Sequence, residues 1–234
     1  MINSIRQQIL ASFSGLIFEP IHHKYMYEGV SMTPVTKVVD SYSEEFDTEL
    51  RAREYALRHG GDPSEIAAEW KAYGKERADL GTRVHLFAEN YFYNHKITPS
   101  DGFERAVVKF WKEKPSHIIP VMSENRVFTK EYRYAGTSDN LFYDMKKRGL
   151  IITDYKTNKD IHKNFAGKRM LPPFHIMLDT PFNHYQIQLS MYQIPLEDIG
   201  LRVLSRLVVW LKSNGTYEIL KTTDYTKELR LSLN

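Results

Sequence analysis

The segment HIIPVMSENRVFTKEYRYAGTSDNLFYDMKKRGLIITDYKT, residues 117–157, contains the clearest strand pattern of the sequence. Val, Ile, Tyr and Phe are frequent in it and alternate with polar residues, a pattern that predicts about three antiparallel β-strands. The segment DMKKRGL, residues 144–150, then forms the turn between the last two strands. This stretch therefore predicts a sheet at the centre of the protein.

The last of these strands carries two opposite charges. The apolar residues 150–152 run directly into Asp154 and Lys156, and side chains two positions apart on a strand point to the same face. Burying an acid and a base near a core is costly unless each has a partner. Two solutions remain open at this point: an ion pair between them, or a metal ion held by the acid beside a charged substrate.

The chain before the strands is mainly helical. Residues 44–93 show helical spacing that is interrupted at Gly60–Gly61, a C-terminal stop signal. A second helix restarts with Asp62 as its N-cap and Pro63 in its first turn. We therefore expect two helices in sequence before the strands.

The other segments complete an α/β fold, a central mixed β-sheet flanked by helices with an N-terminal helical region. We expect the 234 residues to form a single domain. The remaining predicted elements are a hairpin and a short helix within residues 25–42 of the loop-and-short-strand segment 1–43, helices over 101–115 and 180–197, and closing strands over 202–212 and 216–222.

Composition excludes several classes of site. The chain has no cysteine, so it has no disulfide, zinc–thiolate site or iron–sulfur cluster. No apolar run of about 18 residues and no signal-peptide pattern is present, so we expect a cytoplasmic protein without a membrane partner. The net charge of +3 supports a polyanionic partner only weakly, so a basic surface has to be local, with Lys156–Arg169 as the candidate segment.

Acidic residues occur on each of the three predicted strands. Glu124, Asp139 and Asp154 converge at one edge of the sheet if these strands are neighbours. His85 lies on a predicted helix, with Glu89 one turn later on the same face. Convergent carboxylates suit a hard divalent cation such as Mg²⁺ or Mn²⁺, and an added histidine favours tolerance of Mn²⁺.

Such a site has the parts needed for phosphodiester hydrolysis. A divalent cation neutralises phosphate oxygens and lowers the pKa of water. Lys156, on the same strand face as Asp154, can orient the attacking water or stabilise negative charge on the phosphate.

Taken in order, the motifs resemble the PD-(D/E)XK nuclease superfamily, in its RecB/Cas4-like branch. Segments VTKVVDSY and GTRVHLFAENYF further resemble the mitochondrial genome maintenance exonuclease family and related phage exonucleases. The resemblance spans residues 33–193, and the ordered set is far more specific than its D-x-K part alone. Its members are GTRVH with His85, AGTSDNLF with Asp139, the triplet Asp154-Tyr155-Lys156 after fourteen intervening residues, and YQIQLSMYQ with Gln188 and Tyr192.

The resemblance implies one nuclease domain over residues 1–234, with a helical subregion at 44–114 and a restriction-endonuclease-like core at 117–221. It implies metal-dependent DNA cleavage with Mg²⁺ or Mn²⁺ as cofactor. The implied metal ligands are His85, Asp139, Asp154 and the backbone carbonyl of Tyr155. The expected catalytic residues are Lys156, Asp154, Asp139 and Glu124. The expected substrate-binding residues are Gln188, Tyr192, Thr157 and Lys159.

Two departures from the family pattern are visible. Ser138 stands before Asp139 where the motif has proline, a common variation in this branch. Cas4-like members often carry a cysteine cluster, so the absence of cysteine makes the cluster-free exonucleases the closer analogy.

The resulting expectation is an exonuclease that favours single-stranded DNA or a free DNA end, in a bacterial or phage-infected cell. Its role would lie in recombination, repair or replication, with proteins of those processes as further partners. Three alternatives stay open: a structure-specific flap endonuclease, a nucleic-acid-binding module without catalysis, and an α/β domain whose acids coincide by chance.

Overall fold

The computed structural model describes residues 1–20, 22–165 and 167–233. An eight-stranded mixed sheet forms the centre and helices flank it, which confirms the predicted fold class. The strands are β1 (Leu16–Glu19), β2 (Lys24–Tyr27), β3 (Val30–Pro34), β4 (Ile118–Thr129), β5 (Tyr134–Asp144), β6 (Gly149–Lys156), β7 (Val203–Leu211) and β8 (Tyr217–Lys221). The helices are α1 (Ile2–Ser12), α2 (Val35–Asp40), α3 (Thr48–His59), α4 (Pro63–Tyr93), α5 (Gly102–Glu113), α6 (Pro181–Asp198) and α7 (Thr226–Ser232).

Strand β5 is the branch point of the sheet. Strand β4 runs antiparallel along the whole of one edge of β5. On the other edge, β3 pairs in parallel with residues 134–135 and β6 pairs antiparallel with residues 140–144. Residues 136–139 lie between these two pairings, so β3 and β6 diverge here and the sheet opens. Strands β7 and β8 continue the sheet beyond β6.

Helix boundaries in the N-terminal half follow the predicted signals. Helix α3 stops at Gly60, whose φ of 79° lies in the left-handed region that glycine adopts without strain. Helix α4 begins at Pro63, where the Asp62 carboxylate accepts hydrogen bonds from the amides of Ser64 and Glu65. The predicted break between the two helices is therefore confirmed.

Two apolar layers cover the sheet. Helices α4 and α5 pack on one face, where Phe142 and Ile151 contribute to the core. Helices α1, α2, α6 and α7 pack on the other face, around Leu141 and Ile152. Because side chains alternate along a strand, β5 and β6 supply both layers.

Helix α1 was not predicted, since residues 1–43 were interpreted as loop and short strand. Its sequence nevertheless has an amphipathic pattern: Ile2, Ile5 and Ile9 are spaced by one and two turns and face the core. Arg6 secures the helix by donating from Nε to the carbonyl of Val121 at 2.9 Å. The C-terminal helix α7, which packs on α6, was also not predicted.

The first half of α4 projects from the core. None of the side chains of residues 63–80 is buried, and α3 packs against this part to form a helical hairpin. The second half of α4 returns to the sheet, where Val84, Ala88 and Tyr91 are buried. No helix in the described part of the chain has the length and apolar character to cross a membrane.

Candidate active site

The three acids lie side by side on neighbouring strands where the sheet opens. The pairs Ser123–Asn140 and Asn125–Ser138 place Glu124 opposite Asp139. The β5–β6 register ends at Asn140 and Thr153, and its next position brings Asp139 opposite Asp154. Directly opposed residues share a face of the sheet, so the three carboxylates point to the same side. The predicted convergence of these strands is confirmed.

Burial differs among the three acids. Asp139 and Asp154 are 7% and 2% exposed, whereas Glu124 is half-buried. Glu124 has a φ of 49°, an uncommon conformation for a residue with a side chain. Such strain is maintained where the surrounding structure requires it, and here it occurs within β4, four residues after the register shift that begins at Pro120.

His85 completes the group from helix α4. Its Nδ1 lies 3.1 Å from Asp139 Oδ1, and its Nε2 lies 3.0 Å from the carbonyl oxygen of Tyr155. The other oxygen of Asp139 accepts a hydrogen bond from the Tyr155 amide at 2.6 Å. Asp139 and the Tyr155 backbone therefore hold the imidazole in place.

Electrostatics in this cluster favour a positive imidazole. Burial lowers the pKa of His85, but the charge of Asp139 and its hydrogen bond outweigh that effect and raise it to about 9. For Asp139, burial is the largest influence and raises the pKa, but the charge and hydrogen bond of His85, with the charge of Lys156, together outweigh it and the net pKa is lowered. Near neutral pH the pair is an imidazolium beside a carboxylate.

The other two acids bind their protons more tightly than usual. Burial, followed by the charge of Asp139, raises the pKa of Glu124 to about 8. The same two causes raise the pKa of Asp154, partly offset by Lys156. Close carboxylates repel each other when ionised, so added positive charge would relieve the cluster.

Lys156 contacts Asp154 and two side chains of α6. Its Nζ is 2.6 Å from Asp154 Oδ2, donates to Gln188 Oε1 at 3.5 Å, and lies 4.3 Å from the ring centre of Tyr185. Gln188 in turn donates from Nε2 to the hydroxyl of Tyr192 at 2.8 Å. Burial lowers the pKa of Lys156. The charge and hydrogen bond of Asp154, together with the nearby Tyr185 and Asp139, outweigh burial and raise the pKa. The lysine thus stays protonated at neutral pH.

The residues fit a divalent cation. One ligand atom from each of His85, Glu124 and Asp139 lies within 4.8 Å of the others. This set differs from the sequence-based ligand set in its third member, since Glu124 rather than Asp154 joins His85 and Asp139. Asp154 is buried with its Oδ2 beside Lys156, whose ammonium neutralises it in the metal-free chain. Oxygen donors of this kind are those that Mg²⁺ and Mn²⁺ prefer.

A cavity of about 190 Å³ opens onto this cluster. Gln188 and Tyr192, predicted to bind substrate, line it together with the acids and Lys156. The N-terminal strands and the start of α2 form its opposite wall. The residues of this wall carried no functional prediction from the sequence. These are Phe18, His23 and Tyr25, with Pro34, Val35 and Thr36 beside them.

Thr157 and Lys159 lie elsewhere. Both line a second cavity, of about 580 Å³, on the α4 side of the end of β6. The carbonyl oxygen of Thr157 accepts a hydrogen bond from the Arg77 guanidinium. The structure thus separates the four predicted substrate-binding residues into two pairs.

Sequence reasoning missed Tyr185 and His23. Tyr185 precedes Gln188 by three positions and Tyr192 by seven, so helical spacing placed all three on one face of α6. His23 had no such signal, because only the folding of β1–β3 beside β5 brings it to the cavity.

Comparisons with known proteins do not identify the chain. No family model matches it, and no curated protein matches it. The geometry of the site and the order of its motifs are therefore the basis for assigning a function.

Proposed function

We propose that this protein is a Mg²⁺- or Mn²⁺-dependent deoxyribonuclease of the PD-(D/E)XK type, an exonuclease that favours single-stranded DNA. One observation carries the proposal: Glu124, Asp139 and Asp154 lie in register on three neighbouring strands, with His85 against Asp139 and Lys156 against Asp154. A coincidental set of surface acids would not share a buried position at a break in the sheet.

His85, Glu124 and Asp139 would hold the cation, with Asp154 and the Tyr155 carbonyl as adjacent donors. When bound, the cation neutralises phosphate oxygens and lowers the pKa of water. Metal binding requires His85 to give up its extra proton, and with it the hydrogen bond to Asp139 if Nδ1 is the ligand atom, since the ligand is the neutral imidazole.

Lys156 acts on the phosphate. Its ammonium remains charged and lies at the wall of the 190 Å³ cavity, where it stabilises negative charge that develops during hydrolysis. Gln188 and Tyr185 position it, and Tyr192 supports Gln188. The products are a 5′-phosphate and a 3′-hydroxyl, as the family resemblance implies.

The projecting α3–α4 hairpin supports the preference for single strands. It stands beside the site, since α4 carries His85 and Arg77 contacts the strand end after Lys156. A wall in this place leaves room for one strand more readily than for a duplex. We place the activity in recombination, repair or replication in the cytoplasm of a bacterial or phage-infected cell.

A direct test uses end-labelled linear single-stranded DNA with Mn²⁺, with EDTA as the metal-free control. Asp154→Asn should lower the cleavage rate by several orders of magnitude while the far-UV spectrum and melting temperature stay near those of the unsubstituted protein. Asp79→Asn, an exposed acid on α4, is the matched control and should cleave normally.

The outcomes separate the alternatives. An exonuclease leaves circular single-stranded DNA intact, whereas an endonuclease cuts it. DNA binding without cleavage in Mn²⁺ would indicate a non-catalytic module. Full activity of Asp154→Asn would overturn the assignment of the site.

A further inference from the structure

The second cavity, which Thr157 and Lys159 line, lies outside the acidic cluster of the candidate active site. Its volume of about 580 Å³ lies within the range of ligand-binding pockets. Helix α4, the start of α5, the segment after β6 and the β7–β8 turn form its walls. The side chains relevant to binding are Tyr73, Arg77, Phe103, Asn158, Lys159 and Lys212.

The cavity carries unneutralised positive charge. Arg77 and Lys159 form no ion pair with any residue in the described ranges, whereas Lys212 pairs with Glu218 at 3.3 Å. The guanidinium of Arg77 is held by the carbonyl of Thr157, which fixes one end and leaves other N–H donors for an anion. Two free cations and a nucleotide-sized volume favour a phosphate-bearing ligand.

An aromatic side chain lies next to this charge. Tyr73 is 56% exposed and lines the cavity one turn before Arg77 on α4. Residues 73, 77, 81 and 85 are spaced by four, so they lie along one ridge of the helix. That ridge therefore leads from Tyr73, past Arg77, to His85 in the candidate active site.

Gly81 keeps this ridge open. A Cβ added there would meet no atom within 4 Å, so the glycine does not relieve a clash inside the protein. Glycine in the middle of a helix costs stability, by about 0.5–1 kcal/mol relative to alanine. Its position between Arg77 and His85 leaves space for a ligand to approach the helix backbone.

A second contact path joins the two cavities. Asn158 lines the larger cavity, and its Oδ1 accepts a hydrogen bond from Tyr185 at 2.8 Å. The ring of Tyr185 covers Lys156 of the smaller cavity. The end of β6 and the residue that follows it therefore contribute to both spaces, Lys156 to the smaller cavity and Thr157 to the larger one.

We propose that the larger cavity binds the part of a single-stranded nucleic acid that flanks the scissile phosphate. A base stacks on Tyr73, and the phosphates of the same segment contact Arg77 and Lys159. The strand then passes Gly81 to reach the acids. This inference rests on the proposed nuclease function, because it assigns a subsite to that substrate.

Equilibrium binding tests the subsite without cleavage. The full-length protein is titrated in EDTA into a fluorescein-labelled 12-nucleotide single strand, with polarisation as the readout at several salt concentrations. Tyr73→Ala should weaken binding about tenfold, because stacking on an aromatic side chain contributes strongly per base. Lys159→Ala should weaken binding and lower the slope of log affinity against log salt by about one.

Matched controls use exposed residues outside the cavity. Tyr93→Ala removes a 72% exposed tyrosine at the other end of α4, and Lys96→Ala removes an exposed lysine just beyond it. Both should bind the 12-mer like the unsubstituted protein. Gly81→Gln should weaken binding, whereas Gly74→Gln, equally free of neighbours but off the ridge, should not.

The results distinguish the subsite from the enzyme function. Unchanged affinity in Tyr73→Ala and Lys159→Ala, or equal losses in the controls, overturns the subsite even if DNA is cleaved. Tyr73-dependent binding by a protein that never cleaves DNA in Mn²⁺ keeps the binding site and overturns the nuclease proposal.

Discussion

At the scale of single residues, the site is an arrangement of unlike charges under strain. Glu124 takes a left-handed backbone conformation, and the acids of three strands are held close enough for two of them to have raised pKa values. The imidazole of His85 and the ammonium of Lys156 supply the neutralising charge. Such an arrangement is costly for folding alone, which is why we assign it to function.

The protonation of His85 depends on Asp139, and this is testable. In Asp139→Asn the lost carboxylate charge leaves burial as the dominant influence, so the pKa of His85 should fall from about 9 to below its ordinary value of 6.5. An NMR titration of the imidazole signals in EDTA measures it, with His85→Gln to assign the signal. A His85 pKa that stays near 9 in Asp139→Asn would contradict the proposed pairing.

At the scale of elements, helix α6 positions Lys156 through three side chains on one face. Tyr185, Gln188 and Tyr192 are spaced by three and four residues, and the helix docks on β5 at Gly136. A Cβ at Gly136 would lie 2.6 Å from the Tyr192 ring and 2.9 Å from Val35. The glycine therefore lets the helix and strand approach closely enough for Gln188 to reach the lysine.

Gly136→Ala tests this packing. The added methyl should displace Tyr192 and lower the free energy of unfolding by about 1–3 kcal/mol, the usual cost of overpacking a core. Urea unfolding measures the change, and the cleavage rate should fall with it. Gly74→Ala is the comparison: its Cβ meets open space, so it should raise stability by about 0.5–1 kcal/mol. Equal stability of Gly136→Ala and the unsubstituted protein would refute the close contact.

At the scale of the whole molecule, stability and metal binding should be linked through pH. His85 and Glu124 both have folded-state pKa values raised above their ordinary ones, to about 9 and about 8. Each therefore adds stability that is fully present below its ordinary pKa and is lost as pH rises through the raised value. In EDTA the free energy of unfolding should therefore fall from about pH 4.5 to pH 8 through Glu124 and from about pH 6.5 to pH 9 through His85.

Mn²⁺ should reverse that trend. The cation needs the deprotonated ligands that rising pH supplies, so it binds more tightly as pH increases. A ligand that binds only the folded state raises its stability, by about 2.7 kcal/mol at 100 times its Kd. The increase in melting temperature on adding Mn²⁺ should be larger at pH 8.5 than at pH 6. A shift independent of pH, or preserved in Glu124→Gln, would argue against this ligand set.

Local signals predicted most of the elements. Asp62 and Gly60 marked helix ends, and the turn before Gly149 marked a hairpin, because capping and turn chemistry act within a few residues. Helix α1 was not predicted, because a short amphipathic segment is stable as a helix only when it packs on the rest of the protein, here on β4. The larger cavity had no local signal, because its walls come from segments far apart in sequence.

Sequence periodicity is sufficient to establish which residues share a face within one element. Asp154 with Lys156 on a strand and Gln188 with Tyr192 on a helix follow from periods of two and 3.6 residues. Strand pairing and helix docking, by contrast, bring Glu124, Asp139 and Asp154 into register on neighbouring strands and let His85 reach them from the helix on the other face of the sheet. The physical reason is that periodicity acts over one or two turns, whereas strand register and helix docking depend on burying the apolar surface of the whole chain.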